Sequence, residues 1–86
     1  MSQLHENRKY VDSGKRTQQA GSTYNVFLNE FCSQTEARTF EDITHRIISG
    51  GWKPRSSKQY NKNKVKFIRG YLTQLVHDGY LRQKIA

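Results

Sequence analysis

One segment restricts the folds open to this chain more than any other: "NKNKVKFIRGYLTQLVHDGYL". Within it Val65, Ile68, Leu72, Leu75 and Val76 recur at helical spacing, and Phe67 and Tyr71 widen the stripe. Residues three and four apart share one face of an α-helix, so this spacing predicts a long helix, secure from Val65 to Asp78, with one side buried. Ser57 and Asn61 are both suitable caps for its start. Gly79 closes it, and "YLRQKI" then alternates as a short strand does. Gly70, in its interior, costs about 1 kcal/mol relative to alanine, which leads to the expectation that another helix approaches closely there.

Two shorter helices precede it. Tyr24, Phe27, Leu28 and Phe31 fall at i, i+3, i+4 and i+7, so a helix is expected from about Thr23 to Ser33, with Ser22 as its N-cap. A second is expected from Phe40 to Ser49. Thr39 caps it, Glu41 and Asp42 complement the positive end of its dipole, and Phe40, Ile43, Ile47 and Ile48 form the buried face. Gly50 and Gly51 end it with the left-handed conformation a helix C-terminus often needs. Residues 1–21 lack a sustained apolar pattern and read as a polar N-terminal arm or linker, with "RKYV" as a short strand at most. The domain proper is expected over residues 22–86.

A chain of 86 residues is at most one small domain, and a hydrophobic content of 34% limits its core. The net charge of +8 is unevenly placed. Residues 22–52 are net acidic, with Glu30, Glu36, Glu41 and Asp42 against Arg38 and Arg46. Residues 53–69 carry seven basic side chains and no acidic one. Focused charge of this kind points to a polyanion, because each Lys or Arg beside a phosphate releases condensed counterions. The plainer use of the same charge is a solvated face.

"FEDITHRIISGG", followed by "NKVKFIRGYLTQLVHDGYLRQ", resembles the second helix, third helix and first wing strand of winged helix–turn–helix domains. The most telling piece is "YLTQLVHDGYL", with leucine-spaced core positions, a polar pair, glycine and an apolar strand. The resemblance covers roughly residues 22–85. It implies a mainly α, three-helix winged helix–turn–helix domain with a short β element and a flexible N-terminal arm. It further implies that the N-terminal part of the third helix enters the DNA major groove while its C-terminal half packs in the core. On that reading Ser57, Lys58, Gln59, Tyr60, Asn61, Lys62, Asn63 and Lys64 lie at or just before the groove-facing end, with Lys66 and Arg69 one or two turns later. Gln59, Asn61 and Asn63 are candidates for reading adenine edges, with helix capping as the alternative use of the same amides. Lys58, Lys62, Lys64, Lys66 and Arg69, with Lys53 and Arg55 on the basic connection, are candidates for phosphate contacts. Two departures stand out. Only Arg82 to Ala86 follow Leu81, so the wing is truncated or its strand pairs with "ART", with "RKYV" or with another subunit. The connection from Gly50 to Asn61 is also long, and Trp52 and Pro54 are expected to fix its path, with stacking on a base as the second use of Trp52.

Nothing in the sequence suggests catalysis or a cofactor. "DSGKRT" lacks the earlier glycine and the following Ser or Thr of a phosphate-binding loop, and His5, His45, His77 and the single Cys32 give no zinc spacing. Cys32, among apolar residues, reads as a buried structural thiol. No apolar signal-peptide region opens the chain, and no stretch approaches the roughly 18 apolar residues of a membrane span, which suggests a cytoplasmic protein, nucleoid-associated when on DNA. The expected partner is double-stranded DNA, bound by a transcriptional regulator or an origin- or partition-site binder, as a monomer or a homodimer. A protein-interaction or inhibitor module on the same scaffold, or an RNA-binding protein, are the alternatives.

Overall fold

The computed structural model describes residues 8–54 and 57–84. The expected first and second helices are present. Helix α1 (Thr23–Phe31) starts where the Ser22 hydroxyl accepts from the Asn25 N–H, and it buries Phe27, Leu28 and Phe31. Helix α2 (Phe40–Ser49) starts where Thr39 Oγ1 accepts from the Asp42 N–H at 3.1 Å, and it buries Phe40, Ile43, Thr44 and Ile47. Ile48, expected on that face, is 40% exposed because it lies a further 100° around the helix from Ile47. The chain leaves α2 through Gly51 at φ +70°, with Gly51 N–H donating to the Ile48 carbonyl and Trp52 N–H to that of Ile47. These two bonds satisfy carbonyls at the helix end and require the left-handed glycine between them.

The third predicted helix is two helices. Helix α3 (Ser57–Lys62) and helix α4 (Lys64–His77) meet at Asn63, whose φ of −155° and ψ of 91° are extended. Asn63 Oδ1 accepts from the Lys66 N–H at 3.0 Å, so Asn63 caps the long helix in place of Ser57 or Asn61. A short amide side chain can offer the backbone this alternative to continued helix. Val65 lies just past the corner and is 45% exposed, so the core stripe of α4 begins at Ile68 and continues through Leu72 and Leu75. At the far end Gly79 (φ +85°) repeats the α2 ending, its N–H donating to Val76 and that of Tyr80 to Leu75.

The N-terminal segment departs most from expectation. Residues 8–21 belong to the folded unit. Strand β1 (Lys9–Asp12) is the centre of an antiparallel sheet, with β2 (Arg38–Thr39) on one side and β3 (Leu81–Lys84) on the other. Tyr10 opposes Arg38 in one register and Gln83 in the other. "RKYV" and "ART" therefore both contribute, and the strand after Gly79 pairs with the former. Tyr10 is 2% exposed, and Asp12 is buried with it. Asp12 accepts from the Gly14 N–H and from Arg16, whose closest approach is 2.6 Å. That bond raises the Arg16 pKa above its ordinary value, against the opposing effect of burial. Arg16 also donates to Asn29 Oδ1, and buried Asn25 bonds the backbone of Thr17 and Gln19. Lys15 donates to the Asp78 carbonyl at 2.7 Å and lies over the Tyr80 ring. The polar residues that suggested an arm are the ones that fasten it.

The core joins Tyr10 and Leu81 of the sheet to the buried faces of α1, α2 and α4, and Tyr60 joins it from α3. Cys32 packs against its edge.

Candidate nucleic-acid interface

Trp52 anchors the basic connection. Its indole lies 5.3 Å from the Phe27 ring, 5.5 Å from Tyr60 and 5.1 Å from Tyr71, measured between centroids. Tyr60 in turn meets Phe67 edge-on at 5.7 Å. Edge-on aromatic pairs contribute about 0.5–1.5 kcal/mol each beyond the area they bury. Pro54 is buried beside this cluster in sequence. The loop after α2 and the short helix α3 are thus fixed to the core through Trp52 and Tyr60.

That packing divides the predicted contact residues. Lys53, Lys58, Gln59, Asn61, Lys62, Asn63, Lys64 and Lys66 are exposed. Ser57 opens α3, and Arg55 lies outside the described residues. Tyr60 leaves the candidate surface, because at 3% exposed its ring is core, and burial raises its phenol pKa. Arg69 is half-buried, its guanidinium 4.7 Å from the Phe40 ring centroid, which docks it toward α2. Asn63 offers its Nδ2 donor to another partner while its oxygen holds the helix cap.

The electrostatics are one-sided. No Asp or Glu occurs between Asp42 and Asp78. Among the described residues Lys53, Lys58, Lys62, Lys64 and Lys66 form no ion pair with a carboxylate, and the pairs present are Asp12–Arg16, Glu36–Arg38, Asp42–Arg46 and His77–Asp78. Lys64 instead sits 5.5 Å from the Tyr60 ring centroid.

The corner at Asn63 also creates a groove of about 540 Å³, lined by Gln59, Lys62, Asn63, Lys66, Phe67, Gly70 and Tyr71. These positions recur at three and four residues across both helices, so one stripe becomes the concave side of the corner. It is lined by amide and lysine side chains and by the Phe67 and Tyr71 rings, which stack with centroids 6.3 Å apart and planes within 18° of each other. Gly70 does not mark close approach of another helix, because a β-carbon built there meets nothing within 4 Å. Tyr71 Oη is buried without a hydrogen-bond partner, and burial pushes its phenol pKa well up. Phe67 and Tyr71, expected to widen the core stripe, do pack against the core and also line the groove, which sequence reasoning missed. The available signal was Gly70, set between them.

Among the described residues no three His, Cys, Asp or Glu side chains cluster to hold a metal ion, and no helix is long and apolar enough to cross a membrane. No protein-family model matches the chain, and comparison with curated proteins and with solved structures gives no significant match.

Proposed function

We propose that the chain is a sequence-specific double-stranded DNA-binding protein, a transcriptional regulator or an origin- or partition-site binder, on a variant winged helix–turn–helix scaffold. Support for the scaffold comes from the order α1, β2, α2, α3–α4, β3, which follows the helix, strand, helix, helix, strand order of that family. In this variant β1 pairs with β3, supplying a sheet neighbour for the wing strand.

The observation that carries the reading is the row of exposed, unneutralised lysines, Lys53, Lys58, Lys62, Lys64 and Lys66, on elements fixed to the core. A lysine on a packed element offers its charge at a fixed place, so phosphate contacts set the register of the protein on the duplex. Gln59, Asn61 and the Nδ2 donor of Asn63 lie among these lysines, where an amide can bond base edges exposed in the major groove. Arg69, docked over Phe40, serves mainly to join α4 to α2.

The test is affinity for a duplex as a function of salt. With about 0.9 of slope per phosphate contact, five lysine contacts give a slope of log affinity on log salt near −4.5. Changing Lys62, Lys64 and Lys66 to Gln should shallow it by roughly 2.7, at about 0.9 per contact removed. A salt-independent affinity, or one unaffected by the triple change, refutes the reading. Selection from a random duplex pool then supplies the site, and recovery of no motif refutes the sequence specificity.

A further inference from the structure

Helix α4 keeps a glycine that its packing does not require. Gly70 is helical and exposed, its φ is not in the left-handed range, and no neighbouring atom excludes a side chain. Glycine weakens a helix interior relative to almost every other residue. What its missing side chain does provide is open space in the groove at the Asn63 corner, which Phe67 and Tyr71 also line.

We propose that this groove binds one unpaired nucleotide of a nucleic-acid strand, its base stacked against an aromatic ring of the lining, Phe67 or Tyr71, in the space left at Gly70, and its phosphate held by Lys62 and Lys66. Three observations favour this occupant. The volume of about 540 Å³ falls within the range of small-ligand sites, roughly 300–1,000 Å³. Aromatic rings such as those in the lining hold bases irrespective of sequence, because every base has a π face. The groove's charged rim is wholly basic, with Gln59 and Asn63 adding amide groups suited to a base edge and no carboxylate to repel a phosphate. An aliphatic side chain from a protein would use the aromatic lining and leave both lysines without a counter-charge.

The inference rests on the proposed nucleic-acid function and sharpens it: the preferred ligand is a duplex with an unpaired nucleotide beside it. The experiment compares a blunt 20-base-pair duplex, the same duplex with a five-nucleotide overhang, the overhang strand alone, and adenosine monophosphate as competitor. Fluorescence anisotropy is measured with the unaltered protein and with Gly70→Leu and Gly70→Ala. The overhang should raise affinity about tenfold over the blunt duplex, the scale expected for stacking one base. Gly70→Leu fills the groove and should remove that preference, so that overhung and blunt duplexes bind it with equal affinity. Gly70→Ala should melt at higher temperature and show a smaller preference, so loss of binding is separated from loss of folding.

A strand-only preference that Gly70→Leu abolishes, with no duplex binding, supports the groove and refutes the duplex reading. Competition by the mononucleotide shows that the groove takes base and phosphate without a strand, which also supports it. Equal affinity for blunt and overhung duplex, or a preference that survives Gly70→Leu, overturns the proposal. So does an absence of any nucleic-acid binding, which leaves a protein side chain as the occupant. As an independent check, 4-thiothymidine at the first unpaired position should crosslink to the peptide holding Phe67 and Tyr71, and crosslinking confined to other peptides overturns the assignment.

Discussion

Asn63 separates the structural and recognition roles of the basic segment, because one side chain serves both and three substitutions divide them. Its oxygen accepts the Lys66 N–H at 3.0 Å and is the N-cap of α4. Removing an N-cap of this type costs typically about 1 kcal/mol, within a range of about 0.5–2. The upper half of that range applies here. The first turn of α4 contains no acidic side chain, and Lys64 and Lys66 both sit at the positive end of the helix dipole. Asn63→Ala should therefore cost about 1.5 kcal/mol. At roughly 4–8 °C per kcal/mol for a domain this small, the melting temperature should fall by about 6–12 °C. Asn63→Ser and Asn63→Asp keep an acceptor at the cap and should melt within a few degrees of the unaltered protein, with Asp the more stable through the dipole. Binding should order the same proteins differently. Asn63→Ser leaves the lysines in place and removes only the Nδ2 donor, so it keeps the salt slope and lowers affinity for the selected site modestly, whereas Asn63→Asp puts a carboxylate between Lys62 and Lys64 and lowers affinity for every duplex. Circular-dichroism melting and anisotropy titration on the same samples make the comparison. If Asn63→Ala melts as the unaltered protein does, or Asn63→Ser loses as much as Asn63→Ala, the capping argument fails.

Three further outcomes follow from the fold. Deleting residues 1–21 removes the central strand and Tyr10, so the remainder should lose its cooperative thermal transition; a two-state melt in the shortened protein would show β1 to be dispensable. Asp12→Ala strips a buried acceptor from Arg16 and Gly14 and should cost about 2–3 kcal/mol in urea unfolding, since the lost partner is buried while Arg16 keeps access to water. Burial pushes the Cys32 thiol up to about 12, whereas an unfolded thiol ionises near pH 8.5. The folded state thus binds the extra proton, and its stabilisation, complete below about pH 8.5, should fall as pH rises toward 12. Cys32→Ala should flatten that decline, and a disulfide reagent at pH 8 should label Cys32 rapidly only in denaturant.

The local devices of this fold were legible in the chain. Ser22 and Thr39 cap the helices they were expected to cap, and α2 spans the expected residues. Gly51 takes the left-handed conformation expected at the end of α2, whereas Gly50, expected to share it, stays right-handed at φ −79°, and Gly79 closes α4 as expected. Each depends on residues within one or two turns, so sequence order is nearly spatial order. Trp52 was similarly legible as an anchor, since a lone indole on a long polar connection has few other ways to leave water. The basic segment was legible as charge, but its division was not. Tyr60 reads as one more polar-flanked aromatic until Trp52 and Phe67 close around it. Asn63 is one of several equivalent amides until the chain turns there.

The sequence by itself determined helices α1 and α2 with their caps, the body of α4 and the placement of nearly all the excess positive charge on one short segment, because periodicity, capping and charge are properties of neighbours along the chain. Only the tertiary structure decided that residues 8–21 are part of the domain, since β1 gains its stability from partners at Arg38–Thr39 and Leu81–Lys84 that no local pattern announces. It also decided that the apolar stripe of α4 divides, with Ile68, Leu72 and Leu75 fully buried and Phe67 and Tyr71 packed at the edge of the core, where they line a groove. A stripe of helical spacing says that a face is covered; which part is covered by protein depends on the angle at which the next helix leaves, and here one extended residue, Asn63, sets that angle.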